Sequence, residues 1–77
     1  MNPKYTQCEL VKDGITHSIA WIPSKFAVKN KILRIKTSHD TWAGGWMVTN
    51  VYKTVDLEYL NDHYLMYKDF RDVLSDH

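Results

Sequence analysis

The chain has one cysteine, Cys8, among 77 residues. An intrachain disulfide is therefore impossible, and no Cys/His cluster has the spacing of a zinc site. Long apolar runs are missing too. None exceeds four residues, as in Ile19–Ile22, which excludes a membrane-spanning helix. The first residues, Met1-Asn2-Pro3-Lys4-Tyr5, lack the apolar stretch of a signal peptide. There is no repeat and no low-complexity segment. These absences leave a single domain over residues 1–77, with a reduced thiol and a cytoplasmic setting as the expectation.

What is present has to hold a small fold together. A chain of this size buries only roughly 60–65% of its unfolded surface. Small domains often recruit a disulfide, a metal or a partner. Without the first two, a well-packed core or a homo-oligomer is expected. The 44% apolar content and ten aromatics argue against disorder.

Charge is divided by position. Residues 1–53 carry eight cations (Lys4, Lys12, Lys25, Lys29, Lys31, Arg34, Lys36, Lys53) against Glu9, Asp13 and Asp40, a net of +5. Residues 54–77 carry Lys68 and Arg71 against Asp56, Glu58, Asp62, Asp69, Asp72 and Asp76, a net of −4. The overall +1 hides both halves. The break coincides with a change of hydrophobic period, so the sequence reads as a basic β unit (1–53) followed by an acidic helix (54–77).

Asp13-Gly14 is the strongest local signal, because a two-residue type I′ turn needs positive φ at both positions. Pairing outward from it sets Lys12 against Ile15, Leu10 against His17, Cys8 against Ile19 and Thr6 against Trp21. That register puts Cys8, Leu10, Ile19 and Trp21 on one apolar face, with Gln7, Glu9, Thr16 and Ser18 on the other. Pro23 ends the second strand. Ser24–Ala27 has room for one short helical turn with Phe26 packing inward. Lys29-Asn30-Lys31 reads as a turn. Ile32–Lys36 is a third strand with Leu33 and Ile35 inward and Arg34 and Lys36 outward. Thr37–Gly45 reads as a long polar loop holding Trp42, and Trp46–Lys53 as a fourth strand.

From Asp56 the spacing of Leu57, Leu60, Tyr64 and Tyr67, beside a row of Tyr59, His63, Met66, Phe70 and Val73, predicts an amphipathic helix of about 15–19 residues. Thr54 or Asp56 would cap it. The expected class is α+β. It is either a small SH3-like half-barrel or a four-stranded antiparallel sheet, in each case followed by the C-terminal amphipathic helix.

No constellation carries recognisable catalytic chemistry, so the chain is expected not to be an enzyme, with no cofactor and no metal implied. Cys8 with His17 is the one nucleophile pair to weigh, but a cysteine within an apolar strand face is normally inert. His39-Asp40 and Asp62-His63 are adjacent pairs, which do not share a face, and no third ligand joins them. The basic segment Lys25, Lys29, Lys31, Arg34 and Lys36, beside Phe26, could make a single-stranded nucleic-acid groove. The plainer reading is that lysines on an edge strand block sheet-to-sheet pairing. Trp42 and Leu65 are apolar where the pattern predicts polar. Trp42 is either an interface anchor or a loop residue folded back over the core.

The blocks Trp21-Ile22-Pro23-Ser24-Lys25-Phe26-Ala27 and Gly45-Trp46-Met47-Val48, with Leu33 and Ile35 between them, resemble a scattered group of short uncharacterised bacteriophage proteins. These read W-I-P-x-x-F-A, a turn, an L-x-I or L-x-L strand, then G-W-x-V. The likeness covers residues 5–53. This chain departs from it with Asn30 where a turn glycine is expected and with a longer Thr37–Gly45 loop. The resemblance implies a phage origin and the cytoplasm of a host bacterium, and no chemistry.

Together these features predict a non-enzymatic phage protein that binds and modulates or inhibits a host protein of the transcription, replication or defence machinery. Asp62, Asp69 and Asp72 would steer the encounter, and Trp42 or Leu65 would be the buried anchor. The alternatives are a nucleic-acid-binding barrel using the Lys25–Lys36 face and a minor virion component. No membrane partner is expected.

Overall fold

The computed structural model describes residues 4–38, 41–63 and 73–75. They form strands β1 (Lys4–Lys12), β2 (Thr16–Pro23), β3 (Ile32–Ser38), β4 (Thr41–Asp56) and β5 (Val73–Ser75). A 3₁₀ turn, Ser24–Phe26, follows β2, and helix α1, Leu57–His63, follows β4. The strands make one antiparallel sheet in the order β2-β1-β4-β3-β5.

The first turn forms as its sequence dictates. Asp13 and Gly14 have φ of 56° and 71°, and the Ile15 N–H donates to the Lys12 carbonyl at 3.1 Å. The register beyond it differs from the sequence reading by one residue. Ile15 is left over as an extra loop residue and pairing resumes at Lys12–Thr16, so Cys8 faces Ala20 and Thr6 faces Ile22. A slip of one residue moves every side chain of a strand to the other face. Ile19 is accordingly exposed rather than in the core, and Trp21 is buried on the face opposite Cys8 and Leu10. Alternation was a poor guide here because Ala20, Trp21 and Ile22 are all buried: at this end of β2 both faces are covered.

The main core lies on the inner face. Cys8, Leu10, Ala20, Ile22, Leu33, Ile35, Val48 and Val73 pack there, with Phe26, Ala27, Ala43 and Trp46 against them. All five strands contribute, so the sheet curls around this cluster. β4 shows how. Sixteen residues fully extended would span roughly 50 Å, yet the molecule's longest extent is 32 Å. The strand bends at three places where two of its residues, or one extra, oppose the partner: Gly44-Gly45 against Arg34, Thr49 between the Glu9 and Leu10 pairs, and Tyr52-Lys53 against Gln7. Bulges sharpen local twist and curl. Gly45, at φ 77°, supplies the positive φ the first of them uses.

A second, smaller core sits on the outer face at one end. Tyr5, Trp21 and Leu60 are buried together, with Val55 and Leu57 alongside. Leu57 and Leu60, three apart on α1, supply the helix side of it, as the 3.6-residue period requires. Between the β strands and the 3₁₀ turn, Thr6 is buried with its hydroxyl 2.8 Å from both Ser24 Oγ and Thr54 Oγ1. This closes the polar account of an otherwise apolar junction.

Two further expectations are corrected. Trp42 is not in a loop: β4 begins at Thr41, and Trp42 pairs with Lys36. The sheet has five strands rather than four among the described residues, because Val73, placed by periodicity in the helix, starts a strand paired to β3. α1 itself is described over seven residues; Leu65, Asp69 and Asp72 lie outside the described residues.

Candidate functional site

Alternation along β3 sets the outer face. Leu33 and Ile35 are buried inward, so Ile32, Arg34 and Lys36 point outward. The same rule turns Leu74 outward beside buried Val73, and its register partner is Arg34. Trp42, next to inward Ala43, faces outward opposite Lys36. Ile32 pairs with Met47, and Met47 with Val11. Ile32, Arg34, Lys36, Leu74 and Trp42 thus share the outer face at the end of the sheet away from α1, while Val11 on that face is buried. Trp42 is 41% exposed, Ile32 41% and Leu74 53%. Arg34 is exposed and Lys36 half-buried. Gly44-Gly45, bulged opposite Arg34, adds no side chains between Trp42 and Trp46. Arg34 sits at the centre of this surface, with Leu74 on one side, the Gly44-Gly45 bulge on the other, and Ile32 and Lys36 before and after it on β3.

The five cations of the basic segment are not gathered into one stripe. Lys25, on the 3₁₀ turn, has its Nζ 5.2 Å from the Phe26 ring centre. Lys29 and Lys31 line a shallow hollow of about 340 Å³ with Val28, Asn30 and Ile32. Asn30 takes the turn's positive φ, 75°, in place of glycine, and its N–H donates to the Val48 carbonyl at 2.7 Å. Only Arg34 and Lys36 share the outer face with Trp42. Their role as guards of an edge strand does not hold, because β3 lies between β4 and β5.

The acidic candidates fall elsewhere. Asp62 is exposed on α1, beyond the C-terminal end of β4, whereas Trp42 is near the start of that strand. The structure therefore separates the anchor from the charge it was grouped with and brings it to Arg34 and Lys36. Ile32 and Leu74 were missed as surface residues. The alternation Ile32-Arg34-Lys36 was signal enough for Ile32; nothing marked Leu74.

Further along the outer face is a polar cluster. Thr49 Oγ1 donates to Glu9 Oε1 at 2.7 Å, and Asn50 Nδ2 donates to the same oxygen at 2.8 Å. His17 Nδ1 lies 3.3 Å from Glu9 Oε2. Hydrogen bonds from Thr49, then Asn50, then His17 hold the Glu9 carboxyl below its ordinary range. The cluster pins the Thr49 bulge, since the same hydroxyl also reaches the Glu9 carbonyl at 3.3 Å.

Cys8 faces the inner core, fully buried, and burial pushes its thiol up to about 11. His17 is on the opposite face, tied to Glu9, so the two do not meet. Among the described residues no three His, Cys, Asp or Glu side chains gather as metal ligands, and no helix is long and apolar enough to cross a membrane. His39-Asp40 lies outside the described residues. No protein family, no curated protein and no solved structure matches this chain.

Proposed function

We propose that this is a non-enzymatic binding protein of bacteriophage type that docks on a host protein through the outer face around Trp42. The observation that carries the reading is the placement of an exposed tryptophan on a strand, opposite Lys36 and on the same face as exposed Ile32 and Leu74. Tryptophan is enriched among interface hot spots, and so is arginine. The cations of this face call for acidic groups set among the apolar ones of the partner surface, rather than the basic surface implied by the acidic segment. Binding would act by covering that surface. The curled sheet with its 3₁₀ corner fits an SH3-like half-barrel, with α1 opening the C-terminal helix, and the host cytoplasm is the setting.

A single-stranded nucleic acid is the second reading. Trp42 with Arg34 and Lys36 has the makings of a base-stacking platform beside phosphate-binding cations. Exposed aliphatic Ile32 and Leu74 on the same face favour protein, since they offer a base no stacking surface.

The test compares wild type, Trp42→Ala, the pair Arg34→Glu with Lys36→Glu, and Asp62→Asn. Each is immobilised against host-cell extract and, separately, titrated with single-stranded oligonucleotides over a salt series. The reading expects a host protein retained by wild type and Asp62→Asn and lost by the other two. Oligonucleotide binding that falls steeply with salt would favour the second reading. Retention unchanged in Trp42→Ala would refute both.

A further inference from the structure

The sheet has two edges, and they are guarded differently. β5 is three residues long, too short to template another strand. β2 runs for eight residues, pairs among the described residues with β1 alone and keeps an unbroken register from Lys12–Thr16 to Tyr5–Pro23. Natural edge strands are blunted by lysine, by an internal proline, by a bulge or by a covering element. Thr16–Ile22 has no Lys, Arg, Asp or Glu, and its proline comes only at the end, at Pro23. The register with β1 has no bulge. α1 packs over β1 and β4 and meets β2 at Trp21, leaving Thr16–Ile19 outside its reach in the buried cluster. Ile19, mid-strand on the outer face, is 53% exposed.

We propose that β2 is the pairing edge of a symmetric dimer, in which β2 of a second copy adds antiparallel across a two-fold axis at Ile19. The strand is self-complementary in that register. Ile19 meets Ile19 of the second copy, Ser18 meets Ala20, His17 meets Trp21 and Thr16 meets Ile22, so the paired window stops one residue before Pro23. No fixed like charges oppose one another, and an apolar cross-strand pair replaces two exposed isoleucines. A chain net charge of +1 does little to oppose association. The dimer also completes the backbone hydrogen bonding of an edge that a thin core leaves open. An axis perpendicular to the joined sheets keeps both outer faces on one side. Trp42, on β4 two strands away from β2, stays accessible in each copy, so a dimer presents two such surfaces together.

The experiment is sedimentation velocity on the full chain, from low micromolar to near-millimolar concentration, for wild type, Ile19→Lys and Ile15→Lys. Wild type is expected to shift from monomer to dimer. Ile19→Lys is expected to weaken the dimer about tenfold or more, because two like charges would sit directly opposite. Ile15→Lys, outside the paired window, is expected to dimerise as wild type does. A wild type that stays monomeric throughout, or a dimer indifferent to Ile19→Lys, overturns the proposal. If Ile19→Lys loses its folded circular dichroism, Ile19→Cys decides. Mild oxidation should link two copies rapidly through that position, since buried Cys8 cannot compete, while Ile15→Cys should link slowly. Equal rates for the two would overturn the assignment of the axis.

Discussion

Trp21 and Trp42 stand on the same outer face of one sheet, at opposite ends, with opposite surroundings. Trp21 is fully buried between Tyr5 and Leu60 under α1; Trp42 is 41% exposed. A sheet face that carries large apolar side chains needs a cover along its whole length. The chain supplies one, α1, for the Trp21 end, and among the described residues none for the Trp42 end. The difference teaches that the two tryptophans answer different requirements. One holds the helix to the sheet, and the other is, on the proposed reading, the residue that meets a partner, opposite Lys36.

The sharpest way to break the comparison is by stability. Trp21→Ala should cost about 3–5 kcal/mol, as for other buried aromatics truncated to alanine. A domain this small has little more than that to lose. Trp42→Ala should cost on the order of 1 kcal/mol or less, the usual range for a surface change. Urea denaturation of both proteins measures the pair. Similar losses would mean that Trp42 is part of the fold's own core.

Next in size are the two positive-φ glycines that shape the sheet. Gly14→Val and Gly45→Val should each destabilise by about 1–3 kcal/mol, although a side chain at either position meets open space. The strain is in the backbone, not in contacts. Gly14→Val tests the hairpin, while Gly45→Val tests the bulge that carries Trp42 onto the outer face. If Gly45→Val melts like wild type, the bulge does not depend on that conformation.

How much of this was legible in the sequence follows from the same physics. Asp13-Gly14, Pro23, the 3₁₀ corner and the Lys29–Lys31 turn were readable because each rests on a local backbone constraint. So were Leu33 and Ile35 inward and Arg34 and Lys36 outward, where one face is buried and the other wet. The hairpin register was not, because Ile15 can join either the loop or the strand and Ala20–Ile22 is buried on both faces. Trp42 reads as a loop residue because Gly44-Gly45 looks like a breaker, and a bulge uses the same residues. Val73 looked helical because a three-residue strand is too short to display a period of two. The resemblance to short phage proteins rested on the hairpin end, the corner and the G-W-x-V strand. These are structural features and carried no chemistry.

The smallest expected effect belongs to Glu9. Its carboxyl is held below the ordinary value of 4.5 in the folded chain. Its contribution is therefore present above about pH 4.5 and lost as pH falls through the lower folded value. Glu9→Gln should flatten the acid limb of the stability curve slightly and leave the neutral region little changed. Melting curves from pH 6 down to about pH 3 would show it. An unchanged acid limb would mean that the Thr49 bulge does not need the carboxylate.

On the proposed reading, the Trp42 end of the outer face is a partner's surface and not an unfinished core. One paired measurement on Trp42→Ala tests it most directly: melting temperature beside affinity for the host protein that wild type retains. The account predicts a melting temperature within a few degrees of wild type and a binding loss of about 2 kcal/mol or more. A collapse in melting temperature, with the remaining folded protein binding as wild type does, would contradict it.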